Sequence, residues 1–188
     1  MNENIYEREL RLPFEFIPKL DGYNELFSHN SFNLECINDE FAQWLTSKKL
    51  AIAHAETFCL SPLRAPYVPI HVDIVHPEQS DHVVKINFVF SKHDSYMNWY
   101  ELKSNTDTVI LDTPVDSKYR YIRREDAKLV HTVKTDRPRL VNAGIPHDVY
   151  PSVQSKRHSF CFVLKHLYTH EKVSWNEALE ILRDCIVA

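Results

Sequence analysis

Between residues 50 and 165 the chain is a succession of short strand-like runs, and this constrains its fold more than any other feature. Nine segments rich in apolar and β-branched residues can be marked: 51–59, 68–74, 83–90, 96–103, 107–112, 128–133, 138–142, 147–153 and 157–165. Two of them tell the faces apart. In 157–164, alternation puts His158, Phe160, Phe162 and Leu164 on one side and Arg157, Ser159, Cys161 and Val163 on the other. In 83–90, Ile86, Phe88 and Phe90 oppose Lys85, Asn87 and Val89. Large hydrophobes on one face and polar groups on the other fit a small barrel with a polar cavity, its apolar face lying under helices. A sheet with one solvated face has the same alternation. Seven of the nine runs must be real strands for a jelly-roll count.

The flanks read differently. Residues 13–20 suggest a short extended entry piece. Ile37, Phe41, Trp44 and Leu45 recur at helical spacing, predicting a helix over about 38–48. Near the end, Ser174 and Glu177 form a capping box ahead of an apolar stripe of Ala178, Leu179, Ile181, Leu182, Cys185 and Ile186. That helix is expected against the outside of the sheet. With 188 residues, 44% hydrophobic and 26% charged, and no repeat or linker, the expectation is one globular domain over 1–188 with its core at about 50–165.

Composition excludes several functions. Only Gly22 and Gly144 are present, where average usage gives about thirteen, so the glycine-rich cradles of dinucleotide and triphosphate sites are absent. Gly144 stands three residues before His147, and is equally well read as a turn residue ahead of Pro146. Cys36, Cys59, Cys161 and Cys185 are scattered, which suggests free thiols in a reducing compartment. No signal peptide and no run of about 18 apolar residues is visible. A cytoplasmic protein without a membrane segment is expected.

Two distant segments carry the chemistry. Ile70-His71-Val72-Asp73 offers an imidazole and a carboxylate on one face of a strand, and Pro146-His147 offers a second imidazole. Two histidines and a carboxylate can take one face of a metal's octahedron and leave three positions open. Arg157 follows His147 by ten residues, with Ser159 on the same face. With eleven His and twelve Asp in the chain, a His-x-Asp triplet is expected about 0.7 times by chance and means little. The His, Arg-x-Ser spacing is expected only about 0.2 times even with slack, so the combination has weight.

This order of residues resembles the 2-oxoglutarate- and Fe(II)-dependent oxygenases of the prolyl-hydroxylase-like kind, which have a double-stranded β-helix (jelly-roll) core. The resemblance covers about residues 68–165. It implies a mainly β fold with flanking helices, Fe(II) held by His71, Asp73 and His147, and a 2-oxoglutarate cosubstrate whose distal carboxylate is held by Arg157 and Ser159. Asn87 is a candidate for the other end of the cosubstrate by its facing alone. The implied reaction hydroxylates a small-molecule or side-chain substrate and releases succinate and CO₂. Two departures stand out: His71 and His147 are 76 residues apart, which demands an insertion between the two halves, and no clear motif serves the C1 end of the cosubstrate. A cupin-like metal protein (an isomerase or small-ligand sensor) and a metal-free structural or carbohydrate-binding jelly roll are the alternatives.

Other residues compete for attention. His76, His82 and His93 crowd the first motif; the intervening 77–81 reads as a turn, so loop histidines are expected. His54 and Glu56 form a second His-x-carboxylate pair without a downstream partner. Trp99 and Tyr100 suit a substrate pocket or a core. Residues 117–139 hold eight cations against three acids in a chain of net charge −4. That stretch suits an anionic substrate or nucleic acid, or is a solvated basic loop.

Overall fold

A computed structural model describes residues 4–18, 29–31, 37–60, 67–74, 83–104, 107–113, 115, 117–151 and 156–187. In chain order the elements are β1 (Glu7–Glu9), β2 (His29–Ser31), α1 (Asp39–Ser47), β3 (Leu50–Leu60), β4 (Val68–Ile74), β5 (Val84–Ser91) and β6 (Ser95–Leu102). There follow β7 (Val109–Asp112), β8 (Lys118–Tyr121), β9 (Ala127–Lys134), β10 (Arg139–Asn142), β11 (His147–Pro151), β12 (Arg157–His166) and α2 (Trp175–Ile181). The protein is mainly β, and its described residues form two six-stranded sheets ordered β1-β10-β5-β12-β3-β2 and β7-β8-β4-β11-β6-β9. Every pairing is antiparallel.

Each of the nine expected runs contains a strand, and three more strands appear. β8 arises inside the basic segment, which is largely strand rather than loop, while Arg123, Arg124, Lys128, Lys134 and Arg137 are exposed. It pairs with β4, and four of its neighbourhood's cations find acids: Lys118 with Asp112, Arg124 with Asp148, Lys134 with Asp94, and Arg139 with Glu7. β1 and β2 lie at the edges of the first sheet. The extended entry piece is not a strand over 13–18; instead Phe16 leaves it to stack on Phe88, ring centroids 4.0 Å apart. Residues 19 and 20 lie outside the described residues, as do Cys36, His76 and His82. His93 is exposed.

The alternation in β12 and β5 sets the layering. Phe160, Phe162, Leu164, Ile86 and Phe88 share one buried cluster with Phe41, Trp44 and Leu45 of α1, Trp175 and Ala178 of α2, and Leu182 at its C-cap. Both helices thus cover the outer face of the first sheet, as amphipathic helices with one apolar stripe must. α2 starts on the expected capping box, Ser174 Oγ accepting from the Glu177 backbone N–H while Glu177 accepts from the Ser174 N–H. It ends at Ile181, so Cys185 and Ile186 follow in a 3₁₀ turn and its exit. A second cluster, with Met97 and Trp99 from one sheet and Val141 and Val163 from the other, joins the inner faces. Trp99 is core, fully buried. Ile70, Val72, Tyr100 and Ile122 form a third cluster on the far side of the second sheet.

Cys59, Cys161 and Cys185 are buried thiols. Gly144 occupies the turn between β10 and β11 that delivers His147. No helix among the described residues is long and apolar enough to cross a membrane.

Candidate metal centre

β4 and β11 are neighbours, and their antiparallel register sets His147 directly opposite His71. A period of two then brings Asp73 to the same face. One donor atom from each of His71, Asp73 and His147 lies within 4.8 Å of the others, the one such grouping among the described residues. The imidazole centroids are 4.3 Å apart. Asp73 Oδ1 lies 3.5 Å from His71 Nε2, and Oδ2 lies 3.9 Å from His147 Nε2.

Both rings are fixed by the same local device. His71 Nδ1 donates to the Pro69 carbonyl and His147 Nδ1 to the Ile145 carbonyl, each over 2.8 Å. A carbonyl oxygen can only accept, so the proton sits on Nδ1 and both Nε2 atoms face the carboxylate. Backbone bonds of this kind orient metal-binding imidazoles. Burial, with His71 adding, pushes the His147 pKa down to about 3 against the pull of Asp73, which keeps that ring a neutral donor. Burial pushes Asp73 up, but Lys85 above all, then His71 and His147, outweigh it and hold the carboxyl well below its ordinary value. A carboxylate and two imidazoles with inward lone pairs can hold one divalent ion.

The triad opens on a cavity of about 40 Å³ between the sheets, lined also by Lys85, Asn87 and Arg157. Arg157 is only 3% exposed. Its Nε donates to Ser95 Oγ at 2.6 Å and its Nη1 to Ser159 Oγ at 3.1 Å. No carboxylate among the described residues pairs with it, and burial lowers its pKa to about 10 despite nearby Cys161. Asn87 projects from β5 with a buried Oδ1 that has no hydrogen-bond partner. Burial pushes the Cys161 thiol up to about 12, so it is an uncharged wall.

The site residues marked in the sequence therefore converge: His71, Asp73 and His147 as a triad, with Arg157, Ser159 and Asn87 around the same space. His54 and Glu56 do not make a second site of this kind. Glu56 Oε2 lies 3.7 Å from His54 Nε2, and Glu56 also pairs with Lys85, whose ammonium lies 2.8 Å from Asp73 Oδ2. Sequence reasoning missed Lys85, although its parity pointed it inward, and missed Ser95 and Tyr119, whose ring sits edge-on 5.8 Å from His71. No protein-family model and no curated protein matches the chain.

Proposed function

We propose that the protein is a 2-oxoglutarate- and Fe(II)-dependent oxygenase on a double-stranded β-helix. The strand order supports the fold reading. Successive strands β3, β4, β5 and β6 alternate between the sheets, as do β9, β10, β11 and β12, giving β10-β5-β12-β3 in one sheet and β4-β11-β6-β9 in the other. β7 and β8 extend the second sheet past β4 and account for the long separation of the two histidines.

The observation that carries the function is a buried guanidinium that has no carboxylate partner among the described residues and stands beside a metal-ligand triad. A buried charge is costly unless paired, so Arg157 points to an anion missing from the metal-free chain. Of the charged groups that line the cavity, Asp73 is already paired with Lys85, and Arg157 is left over. A divalent ion would add two positive charges, which a dicarboxylate dianion neutralises. Arg157 would take the distal carboxylate in the planar two-bond geometry that suits a guanidinium. Ser159 and Ser95 hold it in place. Asn87, whose terminal O and N are interchangeable by a flip, offers its amide to the other end. When bound at His71, Asp73 and His147, iron would couple decarboxylation of 2-oxoglutarate by dioxygen to hydroxylation of a substrate C–H bond, with succinate and CO₂ as products. The chain's own contribution is orientation and exclusion of water.

A cavity of about 40 Å³ has room for an ion and a few waters, less than a five-carbon diacid needs. That small volume favours, as the second reading, a cupin-like metal protein acting on a smaller ligand. The substrate is taken to be a small molecule or a side chain. The ion pairs in the basic segment weaken the case for nucleic acid or another anionic substrate there. The test is anaerobic addition of Fe(II) and then 2-oxoglutarate. A weak visible charge-transfer band that depends on both, and disappears in Arg157→Met, supports the oxygenase. Metal binding without the band favours the cupin-like protein, and no metal binding the structural one.

A further inference from the structure

Three charges from three strands, two of them buried and Asp73 part-buried, meet at one point. Glu56 of β3 accepts a hydrogen bond from the Lys85 ammonium of β5, and the same ammonium lies 2.8 Å from Asp73 Oδ2 of β4, on the opposite sheet. Glu56 and Lys85 are 3% and 5% exposed. An ammonium held between two carboxylates keeps its charge. Two carboxylates this poorly solvated are unfavourable without positive charge beside them, and the Lys85 ammonium lies against both, with His54 Nε2 also 3.7 Å from Glu56 Oε2.

A divalent ion at the triad needs the carboxylate that Lys85 already holds. Like charges a few ångströms apart in a poorly solvated cavity repel strongly. Glu56 resolves the conflict, because it already holds the other side of the ammonium and can keep it paired when Asp73 is given up.

We propose that Lys85 is a resident cation that occupies Asp73 in the metal-free protein and is taken over by Glu56 when a divalent ion loads. This rests on the metal-centre reading and assigns a role to two residues outside the ligand set. Lys85 and Glu56 are positioning residues that trade metal affinity against the stability of the metal-free fold. A different role for Lys85, orienting Asp73 as an outer-shell donor, gives the opposite sign: loss of such donors typically weakens metal binding by about 10- to 100-fold.

The experiment is titration of the full chain with Mn²⁺ alone, without 2-oxoglutarate, following free Mn²⁺ by electron paramagnetic resonance. Lys85→Met is expected to bind Mn²⁺ more tightly by about tenfold or more, and Glu56→Gln more weakly by a similar factor. The double variant should return toward the native affinity. Metal-free Lys85→Met should also melt below the native protein and gain more from Mn²⁺ than the native protein does. Where Lys85→Met does not fold without metal, Glu56→Gln decides alone, and an unchanged or tighter affinity overturns the proposal. Weakened Mn²⁺ binding in Lys85→Met overturns it too. Failure of the metal-centre reading has a different signature: native protein that takes no Mn²⁺, or takes it equally well after His71→Ala. The proposal falls with that reading.

Discussion

Replacing Arg157 by Met separates the stability of this protein from its proposed function. The side chain is 3% exposed, and its pKa falls to about 10 because burial disfavours the charge. At 1.36 kcal/mol per pH unit, that displacement is a penalty of about 3 kcal/mol on the charged form. Met has similar reach, no charge and no desolvation cost. The variant gives up the bonds to Ser95 Oγ and Ser159 Oγ, and leaving those hydroxyls with fewer partners offsets roughly 1–3 kcal/mol. The metal-free Arg157→Met protein should therefore unfold in denaturant at a free energy within about 1–2 kcal/mol of the native protein, or above it. Binding should move the other way. Losing the ion pair with a dicarboxylate in this cavity costs about 2–5 kcal/mol, at least about 30-fold in affinity. The assay is calorimetric titration of 2-oxoglutarate into Mn²⁺-loaded protein, beside urea unfolding of the metal-free protein. Unfolding weakened by more than about 3 kcal/mol with unchanged 2-oxoglutarate affinity would refute the reasoning, for Arg157 would then be a structural residue.

His71→Ala, Asp73→Ala and His147→Ala should each reduce Mn²⁺ affinity by well over an order of magnitude, while His166→Ala, whose ring pairs with Glu177, should leave it unchanged; equal losses would mean the ligand set is wrong. His147 stays neutral in the fold down to about pH 3, whereas in the unfolded chain it takes a proton below about pH 6.5. The unfolded state therefore binds more protons as pH falls, and metal-free stability should drop by about 1 kcal/mol per unit from pH 6 to 4.5. His147→Phe should flatten that slope in urea titrations, and an unchanged slope would place the acid sensitivity elsewhere. Phe162→Ala, which empties a fully buried position against the rings of Phe41, Phe16 and Phe88, should cost about 3–5 kcal/mol of unfolding free energy. A loss below about 1 kcal/mol would show that the helices do not pack there.

Most of the sheet content was legible because period-two alternation is a local signal. Phe160, Phe162 and Leu164 sit on one side of β12 whatever surrounds them, and the same parity sends Arg157 and Ser159 to the cavity. β8 was not legible. Lys118, Tyr119, Arg120 and Tyr121 read as part of a charge run; pairing with β7 and β4 makes them a strand, and the β4 side brings Tyr119 to His71. β1 is hidden in the same way: Glu7 and Glu9 look solvated until the buried pair of Glu7 with Arg139 ties them to β10. The triad could be named from spacing, but its closeness depends on the register of His147 with His71, which no short motif encodes. Lys85 had the right parity and no visible partner, since Glu56 and Asp73 reach it from two other strands. Ser95 had no signal at all, lying 62 residues before the guanidinium it positions.

The most direct test of the account is iron-dependent turnover of the cosubstrate. Purified protein given Fe(II), dioxygen and labelled 2-oxoglutarate should release succinate and CO₂ in equal amounts, slowly without its substrate and faster with it. Asp73→Ala and Arg157→Met should abolish or sharply reduce this at saturating iron. Protein that binds iron through His71, Asp73 and His147 yet forms no succinate above the Asp73→Ala background would contradict the account and leave the cupin-like reading in its place.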